Sequence, residues 1–192
     1  MPPLYNLLSI GVTVVREEQG RHVLGDSWYV ELKPLFPGFE PEALAVCGLD
    51  MERLKTEGTD PGQAMGDLRD WVLEQNHPCS DRPVFVGHNA PFDWSYISYY
   101  FTWAKIRNPF GYKALDTKAL AMGKLDIPWL ATNKDVLEQY MPEIGSEDMS
   151  QKHRADYDAR FQARILAALL DYDPKARARA ARKKTPARRK KR

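Results

Sequence analysis

Apolar positions along this chain recur with two periods. From Leu7 to Val15 (LLSIGVTVV) the run is aliphatic and β-branched, which predicts a strand. Gly20 lies in a polar turn, Ser27 to Leu32 (SWYVEL) reads as a second strand, and the two predict a β-hairpin. Positions 33–61 are broken by Pro34, Pro37, Gly38, Pro41, Gly48, Gly58 and Pro61 and read as loop, with a short helical piece near Asp50–Lys55. A helix is expected from Thr59 or Asp60 as N-cap, with Pro61 at its first position and Met65, Leu68, Trp71 and Val72 on one face, ending near Asn76-His77-Pro78. Val84-Phe85-Val86, between Pro83 and Gly87, suits a short buried strand. Pro91 opens a helix to about Ala104, Leu115 marks a further short strand, and Thr117–Met122 is helical. The last helix runs from about Ala155 to Tyr172 with Phe161, Ile165, Leu166, Leu169 and Leu170 inward. This order predicts an α/β domain, a mixed sheet covered by helices, without internal repeats.

Composition changes the picture at one end only. Across 192 residues, 43% hydrophobic and 28% charged is the balance of a water-soluble globular domain. No apolar run reaches the roughly 18 residues of a membrane span, and the first residues lack a basic region followed by an apolar one. Two cysteines, Cys47 and Cys79, make no disulfide framework, so a reducing cytoplasmic setting is expected. The net charge of +2 hides an asymmetry: Lys175 to Arg192 carries 11 basic residues and no acidic one, whereas the remainder sets 17 basic against 26 acidic residues. We expect a folded domain over 1–173 and a basic, disordered tail over 174–192, suited to the phosphate backbone of a nucleic acid. A tail that only solubilises, or folds back on the acidic body, has the same composition.

Two strings carry candidate chemistry. Gly87-His88-Asn89-Ala90-Pro91-Phe92-Asp93 follows a strand and opens a helix, so Asp93 lies in a first helical turn at the C-terminal edge of the sheet. A carboxylate there can ligate a hard cation, or merely complement the helix dipole. His153-Arg154-Ala155-Asp156-Tyr157-Asp158 opens the final helix. On an ideal helix His153 and Asp158 would lie about 140° apart, so the histidine is placed on the lead-in. An imidazole there suits a general base, or is simply an exposed histidine at a charged helix start. Between Phe92 and Trp103 stand Phe92, Trp94, Tyr96, Tyr99, Tyr100, Phe101 and Trp103. Most must be core, and Phe92 is the one expected near a ligand. Asn89 reads as a loop-stabilising residue, with substrate contact as the lesser reading.

Together the strings resemble the second and third motifs of the DEDDh (DnaQ-like) 3′–5′ exonucleases. HNAPFD is similar to that family's H-N-A-x-F-D, HRADYD has its H-x-A-x-x-D spacing, and Ala114-Leu115-Asp116-Thr117 resembles its Asp-Thr turn. The resemblance spans residues 4–172. It implies the ribonuclease-H-like fold, two Mg²⁺ or Mn²⁺ ions per complete site, and release of nucleotides from a DNA or RNA 3′ end. It further implies Asp158 and Asp93 as metal ligands, His153 as the base, and Phe92 under the terminal nucleotide.

One element of the family pattern is missing. Its Asp-x-Glu motif, on a central first strand, should precede Leu7–Val15 and is absent there. Asp50-Met51-Glu52 lies in the wrong place and is rejected as a substitute. Impaired catalysis is therefore expected, with unpaired ladder edges at Leu7–Val15 and Val84–Val86, and a natural start upstream of Met1. The competing reading is a non-catalytic nucleic-acid-binding module. A zinc site from His77, Cys79 and Cys47 lacks paired ligand spacing and is the weakest reading.

Overall fold

The computed structural model describes residue 2 and residues 4–174. The basic run from Lys175 onward lies outside the described residues. Strands β1 (Ser9–Glu18) and β2 (Arg21–Glu31) form the antiparallel hairpin, with Ile10 opposite Val30 and Val12 opposite Trp28. The register shifts between Thr13 and Val15, as at a bulge. Helix α1 (Pro41–Cys47) and helix α2 (Met51–Glu57) follow. In helix α3 (Pro61–Asn76), the Asp60 carboxylate accepts from the amides of Gly62 and Gln63, and Pro61 occupies the first turn. Strand β3 (Phe85–Gly87) leads into helix α4 (Ala90–Trp103). Strand β4 (Ala114–Asp116) leads into helix α5 (Thr117–Leu125). Helices α6 (Lys134–Tyr140) and α7 (Ala155–Leu170) complete the order.

The chain is the mixed α/β domain that the pattern predicts, but its strands make two separate ladders. β1 pairs with β2, β3 pairs in parallel with β4, and among the described residues no ladder joins the pairs. Helix α7 ties them instead. The first turn of α7 lies against Gly11 of β1, its Arg160 donates to Ser27, and its Gln162 side chain accepts from the His88 amide just beyond β3. At its end, the Asp171 carboxylate takes the backbone amide and the ring of His22 on the hairpin.

Two cores follow from this arrangement. Ile10, Leu32, Met65, Leu68, Val72, Ile97, Tyr100 and Phe101 pack between hairpin, α3 and α4. Ala121, Leu137, Met141, Ile144, Phe161, Ile165 and Leu169 pack between α5, α6 and α7. Each fully buried large aliphatic or aromatic side chain contributes about 1.5–3 kcal/mol. Leu170, expected inward, is only half-buried. One expectation of loop, within residues 33–61, is corrected. Pro41–Cys47 is helical, because Pro41 pre-sets the first turn and Gly48 at φ 67° closes the last. Lys134–Tyr140, to which the pattern assigned no element, is also helical, and Leu137 pins it in the second core.

Candidate active site

The C-terminal ends of β3 and β4 are stitched together by side chains. Asp116 accepts from the Lys118 amide as N-cap of α5, and the same Oδ1 takes the Asn89 amide from the neighbouring turn at 2.9 Å. The Thr117 hydroxyl bonds the Gly87 carbonyl at 3.3 Å and stands 2.9 Å from Nδ1 of His88. Asn89 is exposed, with φ 68°, and its own side chain makes no cap. Its part in this edge is therefore through the backbone. His88 is held neutral: burial, then the positive charges of Lys118 and Lys134, lower its pKa to about 4.

On this edge Asp93 lies in the first turn of α4, with Gly87 beside its carboxylate. Burial raises the Asp93 pKa to about 6, and the nearby Asp158 and Asp116 carboxylates push in the same direction. Asp158, in the first turn of α7, therefore shares an electrostatic neighbourhood with Asp93. The Lys134 ammonium lies 3.1 Å from Oδ1 of Asp158 and 2.8 Å from Oε1 of Glu147.

Phe92 is exposed and meets Tyr96 edge-on with ring centroids 5.5 Å apart. Among the other aromatics of α4, Tyr96, Tyr100 and Phe101 are buried. His153 is exposed on the turn before α7 at φ 70°. Among the described residues it makes no hydrogen bond to Asp93 or Asp158.

The rejected string Asp50-Met51-Glu52 is used on the surface, where Asp50 caps α2 and Glu52 pairs with Lys55. The two cysteines are free, and Cys47 turns its thiol to the Leu44 carbonyl. Lys134, Glu147 and Gln162 were not legible as site residues. One signal existed for the lysine: a cation at the first position of a helix opposes the dipole and calls for an anion nearby.

No family model matches the sequence. The chain is 37% identical over 167 residues to the 3′-5′ DNA exonuclease Cap18 of Escherichia coli, covering 86% of this chain and 83% of that protein. The chain belongs to the DEDDh 3′–5′ exonuclease family. Ribonuclease T of Escherichia coli K12 is 27% identical over 166 residues, which cover 83% of this chain and 74% of that enzyme. In architecture, this DEDDh chain matches the nuclease domain of 3′hExo, a DEDDh family member solved bound to rAMP. That match has a TM-score of 0.63 at 12% identity and covers 84% of this chain and 91% of the other. It establishes the ribonuclease-H-like fold despite the divided ladders. DEDDh exonucleases are in general dependent on divalent metal.

The residues present offer a partial fit to such an ion. Two carboxylates, one whose pKa burial raises to about 6 and one already holding an ammonium, are hard oxygen donors drawn to a cation. Among the described residues no cluster of three or more His, Cys, Asp or Glu side chains could hold a metal. Among the same residues no helix is long and apolar enough to cross a membrane.

Proposed function

We propose that this chain hydrolyses the terminal phosphodiester of a single-stranded nucleic acid from its 3′ end, with Asp93 and Asp158 as metal ligands and His153 as the base. What supports the reading is Asp93 in the first turn of α4, within electrostatic reach of Asp158 in the first turn of α7, in a chain 37% identical to a 3′–5′ DNA exonuclease. The higher identity to Cap18 than to ribonuclease T supports DNA as the first substrate to test.

Asp93 and Asp158 would hold Mg²⁺ or Mn²⁺, which supplies charge for the phosphoryl oxygens and a bound water of lowered pKa. His153 takes the proton of the attacking water from the exposed turn ahead of α7. Phe92 offers an uncovered ring face to the terminal base. Asn89 shapes the turn beneath it. Two carboxylates balance one divalent ion and not two, so turnover by these 192 residues is slow.

A 3′-labelled DNA strand and its RNA counterpart, each with Mg²⁺ and with chelator, test the reading. Metal-dependent trimming lost in Asp93→Asn and Asp158→Asn is expected. His153→Ala should lower turnover by about 10²–10⁴ with substrate affinity unchanged, the usual scale of general base catalysis. Binding without hydrolysis on either strand would return the chain to the binding-module reading.

A further inference from the structure

Lys134 is the first residue of α6, and its ammonium sits between two carboxylates from different parts of the chain. One is Asp158, at 3.1 Å; the other is Glu147, at 2.8 Å. The three side chains retain only 19%, 23% and 8% of their exposure respectively. Glu147 is further anchored. Its second oxygen faces Lys152 at 3.7 Å, and its amide donates to Oε1 of Glu138 at 3.0 Å. An ammonium and a divalent cation cannot both sit on Asp158 without strong repulsion in so sheltered a place. Nor is the half-buried ammonium favourably left without an anion. Glu147 already supplies that anion, at the shorter of the two distances.

We propose that Lys134 is a built-in counter-ion of Asp158 and that Glu147 is the positioning residue that keeps the lysine when a divalent cation takes Asp158. The lysine holds the carboxylate in place in the metal-free chain. It thereby competes with the metal, and apparent affinity falls by the fraction of time that Asp158 is held. Glu147 sets that fraction. This inference rests on the reading of Asp158 as a metal ligand.

Removal of either partner must then act in opposite directions. Mn²⁺ binding to the full 192-residue chain is measured by calorimetry and by the loss of the free-ion electron paramagnetic resonance signal, without substrate. Lys134→Met should tighten Mn²⁺ binding by about 10-fold, the effect of freeing a site occupied nine-tenths of the time. Glu147→Gln should weaken it by a similar factor, because the lysine then has Asp158 alone. The double variant, which leaves neither member of the Lys134–Glu147 pair without its partner, should bind as tightly as Lys134→Met. Thermal melting without metal confirms that each variant is folded.

Asp158→Asn separates the two layers. If it binds Mn²⁺ like the parent, or the parent takes up none, the ligand reading fails and the inference with it. If Asp158→Asn loses binding while Lys134→Met and Glu147→Gln leave it unchanged, or shift it in the same direction, the counter-ion inference alone is overturned.

Discussion

A methyl group on Gly11 would stand 2.0 Å from the carbonyl oxygen of Ala155. The first turn of α7 thus rests on bare backbone of β1, three residues before Asp158. The obstacle is main chain, which cannot rotate away. Gly11→Ala should cost about 1–3 kcal/mol, as overpacking does. With Asp158 in its proposed role as metal ligand, Gly11→Ala should also lower turnover more than it lowers stability, since a misplacement of about 1 Å at a reacting group can cost 10²-fold. Gly123, inside α5 with open space at its Cβ position, is the control. Gly123→Ala should stabilise by about 0.4–1 kcal/mol. Urea titration of both variants with a rate assay checks the pair; a neutral Gly11→Ala would mean that α7 can slide.

His88 and Asp93 titrate against each other. The His88 pKa is lowered to about 4, so between pH 6.5 and 4 the unfolded chain takes a proton that the native chain refuses, and stability is lost as pH falls. The Asp93 pKa is raised to about 6, so between pH 3.8 and 6 the native chain keeps a proton that the unfolded chain has released, and stability is lost as pH rises. Each effect is on the order of 3 kcal/mol, and over pH 4–6 they oppose. Relative to the parent in chelator, Asp93→Asn should gain stability as pH rises through this window. His88→Gln should gain it as pH falls. Denaturant midpoints at half-unit steps read the two slopes, and parallel curves for all three chains would refute the opposition.

Gln162 takes the His88 amide where no strand does. Gln162→Leu keeps most of the volume and strands that amide, at a cost of about 1–3 kcal/mol. Hydrogen exchange should quicken at Phe85–Gly87 before it quickens in the hairpin. Uniform change across both ladders would show that α7 does not bridge them through this side chain.

Deleting residues 175–192 removes 11 positive charges. For single strands the salt slope is about −0.7 per neutralised phosphate, so binding by the truncated chain should depend far less steeply on salt. Fluorescence anisotropy at several salt concentrations provides the slopes. Equal slopes would leave the tail without a role in the complex.

Local chemistry made much of this protein legible in advance. The aliphatic, β-branched run Leu7–Val15, the turn at Gly20 and the strand Ser27–Leu32 predicted the hairpin, and Asp60-Pro61 marked the start of α3 by cap and fixed φ. The strings around Asp93 and Asp158 carried the family, because their spacing lies within single elements and their adjoining turns. That Asp93 and Asp158 share an electrostatic neighbourhood was not legible, since a helix-start carboxylate has the same local sequence whether or not another carboxylate lies near it. Nor could periodicity choose among the seven aromatics of α4; packing against the hairpin and α3 buried Tyr96, Tyr100 and Phe101 and left Phe92 bare. Helix α6, the salt bridges from Lys134 to Glu147 and Asp158, and the bond from Gln162 to His88 arise from contacts between distant segments. Such contacts depend on which faces come together when α7 packs against two separate ladders, and no one segment encodes that choice.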